Sequence, residues 1–548
     1  MSTGERTVVV GFDALDFEYL DRFDLPAFDT LRSDGVEAPL SSTFPPWTGS
    51  AWPSTYTGST PDHHGAFSFF DFADHTPADA PILSRNEVRL PAIWDYLTAR
   101  GASSIVVNVP VTHPADEIEG VLVPGYLAPE REPSHPSGVR SEISEAIGRE
   151  YRIYSETETD SGAEAVDKLD SYVDLIRSRG EAAEYLLDAY DWEFAFVQVQ
   201  KTDAVFHEFT EESAFERVYR AADEVLDTVR SAAPDANVVV CSDHGIGPVT
   251  GSQVAVNEIL RREGFLESAP DGELPSLSDR KKTLDVTVNG NERTRGRPSV
   301  AARAASTAES VLRTAGLTPD DVYAVTKRLG VDEQVRRLLP EDVLDSARQG
   351  VDWGESRAYC RLAPELGVRL NVEGRDPEGV VPPDEYEATR DAIVDLLAGV
   401  TARDGDPVFE WVEPREAVYD GPAAEDACDV LFYPREMNHV VTTRVGGRPV
   451  NSADTYNHKQ NGVFVAAGPS FAEASADAVP SPMSLTSVAP VALAASGYPV
   501  PERMTGEVPA GLGVPATRER YGNVSFAGGA ADDDEGDVRD RLSDLGYL

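Results

Sequence analysis

Seven short runs of apolar, mostly β-branched residues recur along the chain: Thr7 to Phe12, Ser104 to Val109, Phe194 to Val199, Asn237 to Cys241, Gly367 to Val372, Asp429 to Tyr433 and Gly462 to Ala467. Consecutive positions in them are apolar, so both faces suit burial, the pattern of strands in a sheet covered on its two sides. The stretches Val166 to Ala189 and Ala214 to Ala232 instead repeat apolar residues at helical spacing. Strands alternating with helices predict a doubly wound α/β core with helices on both faces.

Residues 266 to 349 break that rhythm. They open with a polar, Pro-containing stretch, Ser268 to Asp279, and continue as an Arg/Ala-rich helical pattern without clear strands. This predicts an inserted, mainly helical cap over the active-site end, a plain surface excursion being the alternative. The core then comprises residues 1 to 265 and 350 to 515. Residues 516 to 548 follow as an acidic linker, with Ala527 to Gly536 flexible, and a short terminal helix marked by Val538, Leu542, Leu545 and Leu548. Internal repeats are absent from the sequence.

Composition narrows the function classes. Hydrophobic residues make up 41% of the 548 positions, enough for a sizeable core. Asp and Glu number 95 against 48 Lys and Arg, a net charge of −47. Nucleic-acid binding needs the opposite sign, because affinity comes from neutralising phosphates, so no nucleic-acid partner is expected. Only six of the cations are Lys. An acidic, Lys-poor surface around a well-formed apolar pattern fits adaptation to high salt, where screening blunts self-repulsion; an acidic mesophilic protein is the alternative. The N-terminus carries no long apolar segment, no run approaches membrane-spanning length, and three scattered Cys (241, 360 and 428) form no disulfide framework. A cytoplasmic location is therefore the expectation.

The candidate chemistry sits at the ends of the strand-like runs. Asp13 follows the first of them, where open α/β sheets place ligands, although an Asp there also caps helices. Asp203 and His207 are four apart; if a helix starts at Thr202, both share one face and suit Zn²⁺ or a similar ion, the alternative being a capping Asp and a surface His. Asp243-His244-Gly245 follows another strand-like run; Asp and His can reach one cation together while Gly245 turns the backbone, and a plain turn is the alternative. His458 lies in a loop-like segment before the last run. Three Asp and three His form an inventory for two divalent cations. Thr48, in the Pro/Trp-rich segment Phe44 to Pro53, is the candidate nucleophile, a hydroxyl that metals could activate, or else an ordinary helix cap. His63 and His64 suit a structural or substrate-side role. No Gly-x-Ser-x-Gly elbow supports a Ser-His-Asp hydrolase, and no P-loop supports an NTPase.

Together these segments resemble the alkaline phosphatase superfamily, in its type I phosphodiesterase/nucleotide pyrophosphatase branch. The resemblance runs through Gly11 to Ala14, Pro45 to Gly58, Pro61 to Gly65, Asn108 to Pro114, Thr202 and Asp203 with His207, Ser242 to Gly245, Asn371 to Gly379, and His458 before Gly462. It implies an alkaline-phosphatase-like central sheet and a two-metal site, with Zn²⁺ the first choice and Mn²⁺ or others possible. By resemblance, Asp13, Thr48, Asp243 and His244 hold one cation, and Asp203, His207 and His458 the other. Two such ions can clamp the attacking and leaving oxygens of an in-line displacement. Thr48 would form a phospho-threonine intermediate that water then hydrolyses. The implied substrate is a small phosphate ester, nucleotide-like or linked to lipid or sugar.

The chain departs from the family pattern at Ala51 and at the segment leading into His458. Ala51 stands where the nucleotide pyrophosphatases of this branch carry an Asn that helps hold a phosphoryl oxygen, and Asn108 is the candidate replacement on the substrate side. Thr48 in place of a Cys-x-Pro-x-Arg motif argues against a sulfatase. Tyr456-Asn-His458 replaces the more usual Gly-x-His. A phosphomonoesterase or phosphotransferase of the same superfamily, and a catalytically silent binding protein, are the competing readings.

Overall fold

Strand β1 (Thr7–Phe12) runs through the middle of an eight-stranded sheet because every one of its six residues is buried. The computed structural model describes residues 5–131, 133–157, 164–269 and 350–528. The other strands are β2 (Val36–Ser41), β3 (Ser104–Val107), β4 (Gly120–Val123), β5 (Phe194–Val199), β6 (Asn237–Ser242), Asn461–Ala467 and Met483–Ser484. From edge to edge the order is Met483–Ser484, β2, Asn461–Ala467, β6, β1, β5, β3, β4. All neighbours pair in parallel except at Asn461–Ala467, which runs against both β2 and β6.

Successive residues of each central strand feed two separate cores. Val8, Val10 and Phe12 join Ala195, Val197 and Val199 on one face, under the helices Pro26–Asp34, Ala165–Ala189 and Glu212–Ala232. Val9, Phe194 and Phe196 point to the other, under Thr48–Thr57, Ile93–Thr98 and Val488–Ala495. Each fully buried Val, Leu or Phe contributes about 1.5–3 kcal/mol, so a sheet apolar on both faces is held only when helices cover both. The doubly wound α/β expectation therefore holds, and the predicted helices at 166–189 and 214–232 are present with the helix bounds Ala165–Ala189 and Glu212–Ala232.

Two predicted strands belong elsewhere. Gly367–Leu370 and Val430–Pro434 join Ala358–Tyr359 and Phe409–Pro414 in a separate antiparallel sheet that carries the helix Tyr386–Ala398 and its own core around Leu370, Ile393 and Phe432. Apolar runs report burial, not which sheet buries them. The short strands Ser268–Ala269 and Gly350–Val351 pair antiparallel, which sets the two ends of the 270–349 stretch side by side. That stretch, which carries nearly all of the expected cap, lies outside the described residues.

At the other end, residues 516–528 lie against the core rather than linking away from it. Arg518–Glu519 pairs with Val500–Pro501, Phe526 covers the Arg85 guanidinium, and the Ala527 N–H donates to Asp116 Oδ1 at 2.8 Å. The expected terminal helix falls in 529–548, outside the described residues. Among the described residues no helix is long and apolar enough to cross a membrane.

Candidate metal centre and active site

Three parallel strands deliver their ends to one edge of the sheet. Asp13 follows β1, the helix Lys201–Glu208 with Asp203 and His207 follows β5, and Asp243-His244 follows β6. The Asp13 N–H donates to the Val199 carbonyl at 3.0 Å, and Thr202 Oγ1 donates to the Asp13 carbonyl at 2.6 Å, so the turns after β1 and β5 are tied together. Ser242 Oγ accepts from the Leu15 N–H and donates to the His244 carbonyl, tying in the turn after β6. Asp16, not Asp13, caps the following helix, accepting from the Glu18 N–H at 2.9 Å. Asp13 is therefore free for a ligand.

Thr48 arrives from a different layer. It is the first residue of the helix Thr48–Thr57, Trp47 being the cap, and its Oγ1 stands 3.4 Å from Asp13 Oδ1. Neighbouring Gly49 is packed so closely that a Cβ there would meet the Ser68 carbonyl oxygen at 2.7 Å. Gly245 does not make the sharp turn expected of it. It opens strand β7 (Gly245–Val249), and a Cβ there would stand 2.0 Å from the Asn461 carbonyl oxygen.

His458 also departs from expectation. It is buried within a strand, Thr455–Lys459, paired antiparallel with β7 so that it faces Ile246. A run as polar as Thr455 to Lys459 shows no strand pattern, and only its partner reveals one. The pairing carries His458 Nε2 to 3.5 Å from Asp203 Oδ1 and 3.3 Å from His207 Nε2, while Asp203 and His207 meet at 3.1 Å.

All seven expected residues thus converge. Ligand atoms of Asp203, His207 and His458 lie within 4.8 Å of one another, and so do those of Asp13, Asp203 and His244; Asp203 is common to both triads. Asp243 Oδ1 accepts from the Ala14 N–H at 3.2 Å, and its Oδ2 faces His244 Nε2 at 3.3 Å.

The residues fit divalent cations on the chemistry of their atoms. His244 Nδ1 donates to the Gly245 carbonyl at 3.1 Å, and His458 Nδ1 donates to the Pro46 carbonyl at 3.0 Å. His244, held neutral by burial, then turns an unprotonated Nε2 towards carboxylates, the tautomer a metal ligand needs, and the bond at His458 Nδ1 leaves its Nε2 facing Asp203. Asp243 Oδ2 and His244 Nε2 are fully buried without a hydrogen-bond partner, and each such group costs about 1–3 kcal/mol. Lone pair facing lone pair is repulsive unless a cation lies between them.

The titration directions agree. Burial, then the Asp243 and Asp203 charges, hold the Asp13 carboxyl well above the usual range. Burial and the Asp203 charge push Asp243 up likewise. Burial would raise Asp203 too, but His207 and His458 hold it well below, and Asp203 in turn raises His207. Burial, with His458 nearby, keeps His244 neutral. Carboxylates this dry and this close need positive charge among them.

Asn108 stands at the same carboxyl edge but joins none of these contacts. Its Nδ2 donates to the carbonyl and Oε1 of Gln198, at 3.2 and 3.0 Å. Gln198 is the single polar residue in the buried run Phe194–Val199, a signal that the sequence carries. His64 is structural: its Nε2 donates to Ser54 Oγ at 2.8 Å, and its Nδ1 accepts from the Ala66 N–H. His63 converges with Asp62 and Asp420, apart from the two triads. The carbonyls of Pro46 and Gly245 carry no sequence signal, since any residue supplies a carbonyl.

A family model described as type I phosphodiesterase/nucleotide pyrophosphatase matches residues 7–335, more than half of the chain. Among curated proteins there is no match. Among solved structures, phosphonoacetate hydrolase from Sinorhizobium meliloti 1021 in complex with phosphonoformate is 14% identical, with 85% of this chain and 91% of that chain covered and a TM-score of 0.47. Murine ectonucleotide pyrophosphatase/phosphodiesterase 5 is 12% identical, covering 95% and 98%, with a TM-score of 0.48. Its human counterpart is 10% identical, covering 95% and 97%, with a TM-score of 0.46.

Proposed function

Because the chain belongs to the type I phosphodiesterase/nucleotide pyrophosphatase family, we propose that it hydrolyses a phosphodiester or pyrophosphate bond with Thr48 as nucleophile and two divalent cations as cofactors. The observation that carries this is the buried, partnerless pair Asp243 Oδ2 and His244 Nε2 beside Asp13 and the Thr48 hydroxyl. Asp13, Thr48, Asp243 and His244 would hold one ion, and Asp203, His207 and His458 the other. Asp203, within reach of both triads, would keep the ions close.

Such ions supply Lewis-acid stabilisation of the charge that develops on the attacking and leaving oxygens. The chain's own groups do the rest. The helix Thr48–Thr57 presents Thr48 Oγ1 at its N-terminus, where backbone N–H groups and the helix dipole favour a phosphoryl oxygen. Asp13 Oδ1 is the nearest acceptor for the Thr48 hydroxyl proton. Attack on phosphorus forms the Thr48 ester and releases the alcohol or phosphate, and water then cleaves that ester. Zn²⁺ suits a set of carboxylates and imidazoles, as does Mn²⁺. The substrate class we favour is a small nucleotide-like diester; Asn108 is held by Gln198 near the same edge and would lie on its substrate side.

Bis-p-nitrophenyl phosphate and p-nitrophenyl phosphate, assayed side by side with Zn²⁺ or Mn²⁺ and then with EDTA, test the proposal. Diester turnover that EDTA abolishes is expected. Turnover that survives thorough chelation would sink the metal mechanism, and a monoester rate well above the diester rate would reassign the enzyme as a phosphatase.

A further inference from the structure

Trp47 occupies a position where its side chain does nothing for its own helix. As the N-cap of Thr48–Thr57 it makes no side-chain capping bond. Ser, Thr, Asp or Asn there would stabilise the helix start over a residue that cannot cap. Its indole instead packs on the imidazole of His458, with ring centroids 4.6 Å apart. The same imidazole stacks on His244 at 3.8 Å, the planes 16° from parallel. The preceding residue, Pro46, accepts the His458 Nδ1–H through its carbonyl. The dipeptide just upstream of Thr48 therefore holds both the hydrogen bond and a ring contact of a histidine 412 positions away.

We propose that Trp47 is a positioning residue that orients His458 and so sets the affinity of the Asp203–His207–His458 subsite for its cation. This rests on the two-metal reading of the site. The physical reason is that an imidazole ligand has one rotational freedom left once Nδ1 is bonded, the swing of its plane. A large half-buried ring against that plane removes the swing before an ion arrives. Groups that orient a metal ligand typically change metal affinity by about 10- to 100-fold when removed. Through its backbone Trp47 is also joined to the nucleophile: its carbonyl accepts from the N–H groups of Ser50 and Ala51, at 3.0 and 2.8 Å. The geometry of Thr48 and that of the second subsite thus share one residue.

The test is a calorimetric titration of chelated full-length protein with Zn²⁺, comparing wild type, Trp47→Phe, Trp47→Ala and His458→Ala, with thermal melts of each apoprotein. Wild type should bind two ions. Trp47→Phe, which keeps a ring against His458, should bind both within a few-fold of wild type. Trp47→Ala should keep one site and weaken the other by about 10- to 100-fold, matching the site that His458→Ala loses. Two sites of wild-type affinity in Trp47→Ala would overturn the proposal and leave Trp47 as a substrate contact, read as a raised KM. If Trp47→Ala fails to fold, the Phe variant together with Trp47→Leu decides: Leu must weaken one site and Phe must not. Should wild type bind two ions yet hydrolyse no phosphate ester, the functional proposal falls while this one stands.

Discussion

Thr48 Oγ1 and Asp13 Oδ1 lie 3.4 Å apart across 35 positions of chain, a helix start meeting a strand end over the face of β1. The hydroxyl therefore sits where an attacking oxygen and a carboxylate ligand would share one cation.

Thr48→Ala removes that oxygen and leaves the helix, since Thr48 makes no capping bond. Turnover of the diester should fall by about 10³-fold or more, while the protein still binds at least the Asp203–His207–His458 ion. Steady-state kinetics with metal analysis of the same sample checks this. Residual activity within a few-fold of wild type would exclude Thr48 as nucleophile.

Chelation should destabilise as well as inactivate. A ligand that binds only the folded state stabilises it by about 2.7 kcal/mol when its free concentration is 100 times its Kd. The apoprotein retains buried carboxylates around Asp13 and Asp243 without counter-charge. Its melting temperature should drop on EDTA treatment and recover with added Zn²⁺ or Mn²⁺. An unchanged melt with and without cations would argue against a filled site.

His64 predicts an acid sensitivity away from the metals. Burial pushes its imidazole down to about 3, against roughly 6.5 in an unfolded chain. A folded pKa below the unfolded one gives stability that is complete above about 6.5 and is lost as pH falls towards 3, because the unfolded chain takes up the proton first. The loss is about 1.4 kcal/mol per pH unit in that window. His64→Gln keeps a donor for Ser54 and cannot titrate. Urea denaturation should show wild type ahead at pH 7.5 and the gap closing or reversing near pH 4.5. A gap independent of pH would show that His64 titrates normally.

The net charge of −47 sets a salt dependence. At 0.1 M salt the screening length is about 10 Å, and at 1 M about 3 Å. If the surface is adapted to high salt, metal-loaded protein should melt higher at 2 M KCl than at 0.1 M, beyond the shift for an acidic mesophilic control. Equal shifts in the two proteins would remove that reading.

Much of the candidate site is legible in the sequence. Asp13, Asp203 with His207, and Asp243 with His244 follow apolar runs, and a strand end in a doubly wound sheet is where ligands gather. His458 had no such signal: its strand is polar and exists through pairing with β7. Trp47 read as part of a Pro/Trp-rich segment, and nothing in that segment pointed to His458.

The sequence by itself determined the central buried strands, the two long helices and which residues can bind metal, because burial on one or two faces writes a local period of apolar positions and ligand chemistry belongs to residue type. Only the tertiary structure decided that Gly367–Leu370 and Val430–Pro434 leave the main sheet, that Asn461–Ala467 runs against its neighbours, and that Asp203 reaches both triads. Those outcomes depend on which distant backbone supplies the hydrogen bonds and which side chains fill the gap. No local pattern encodes such a choice, since it is made by comparing whole arrangements of the chain.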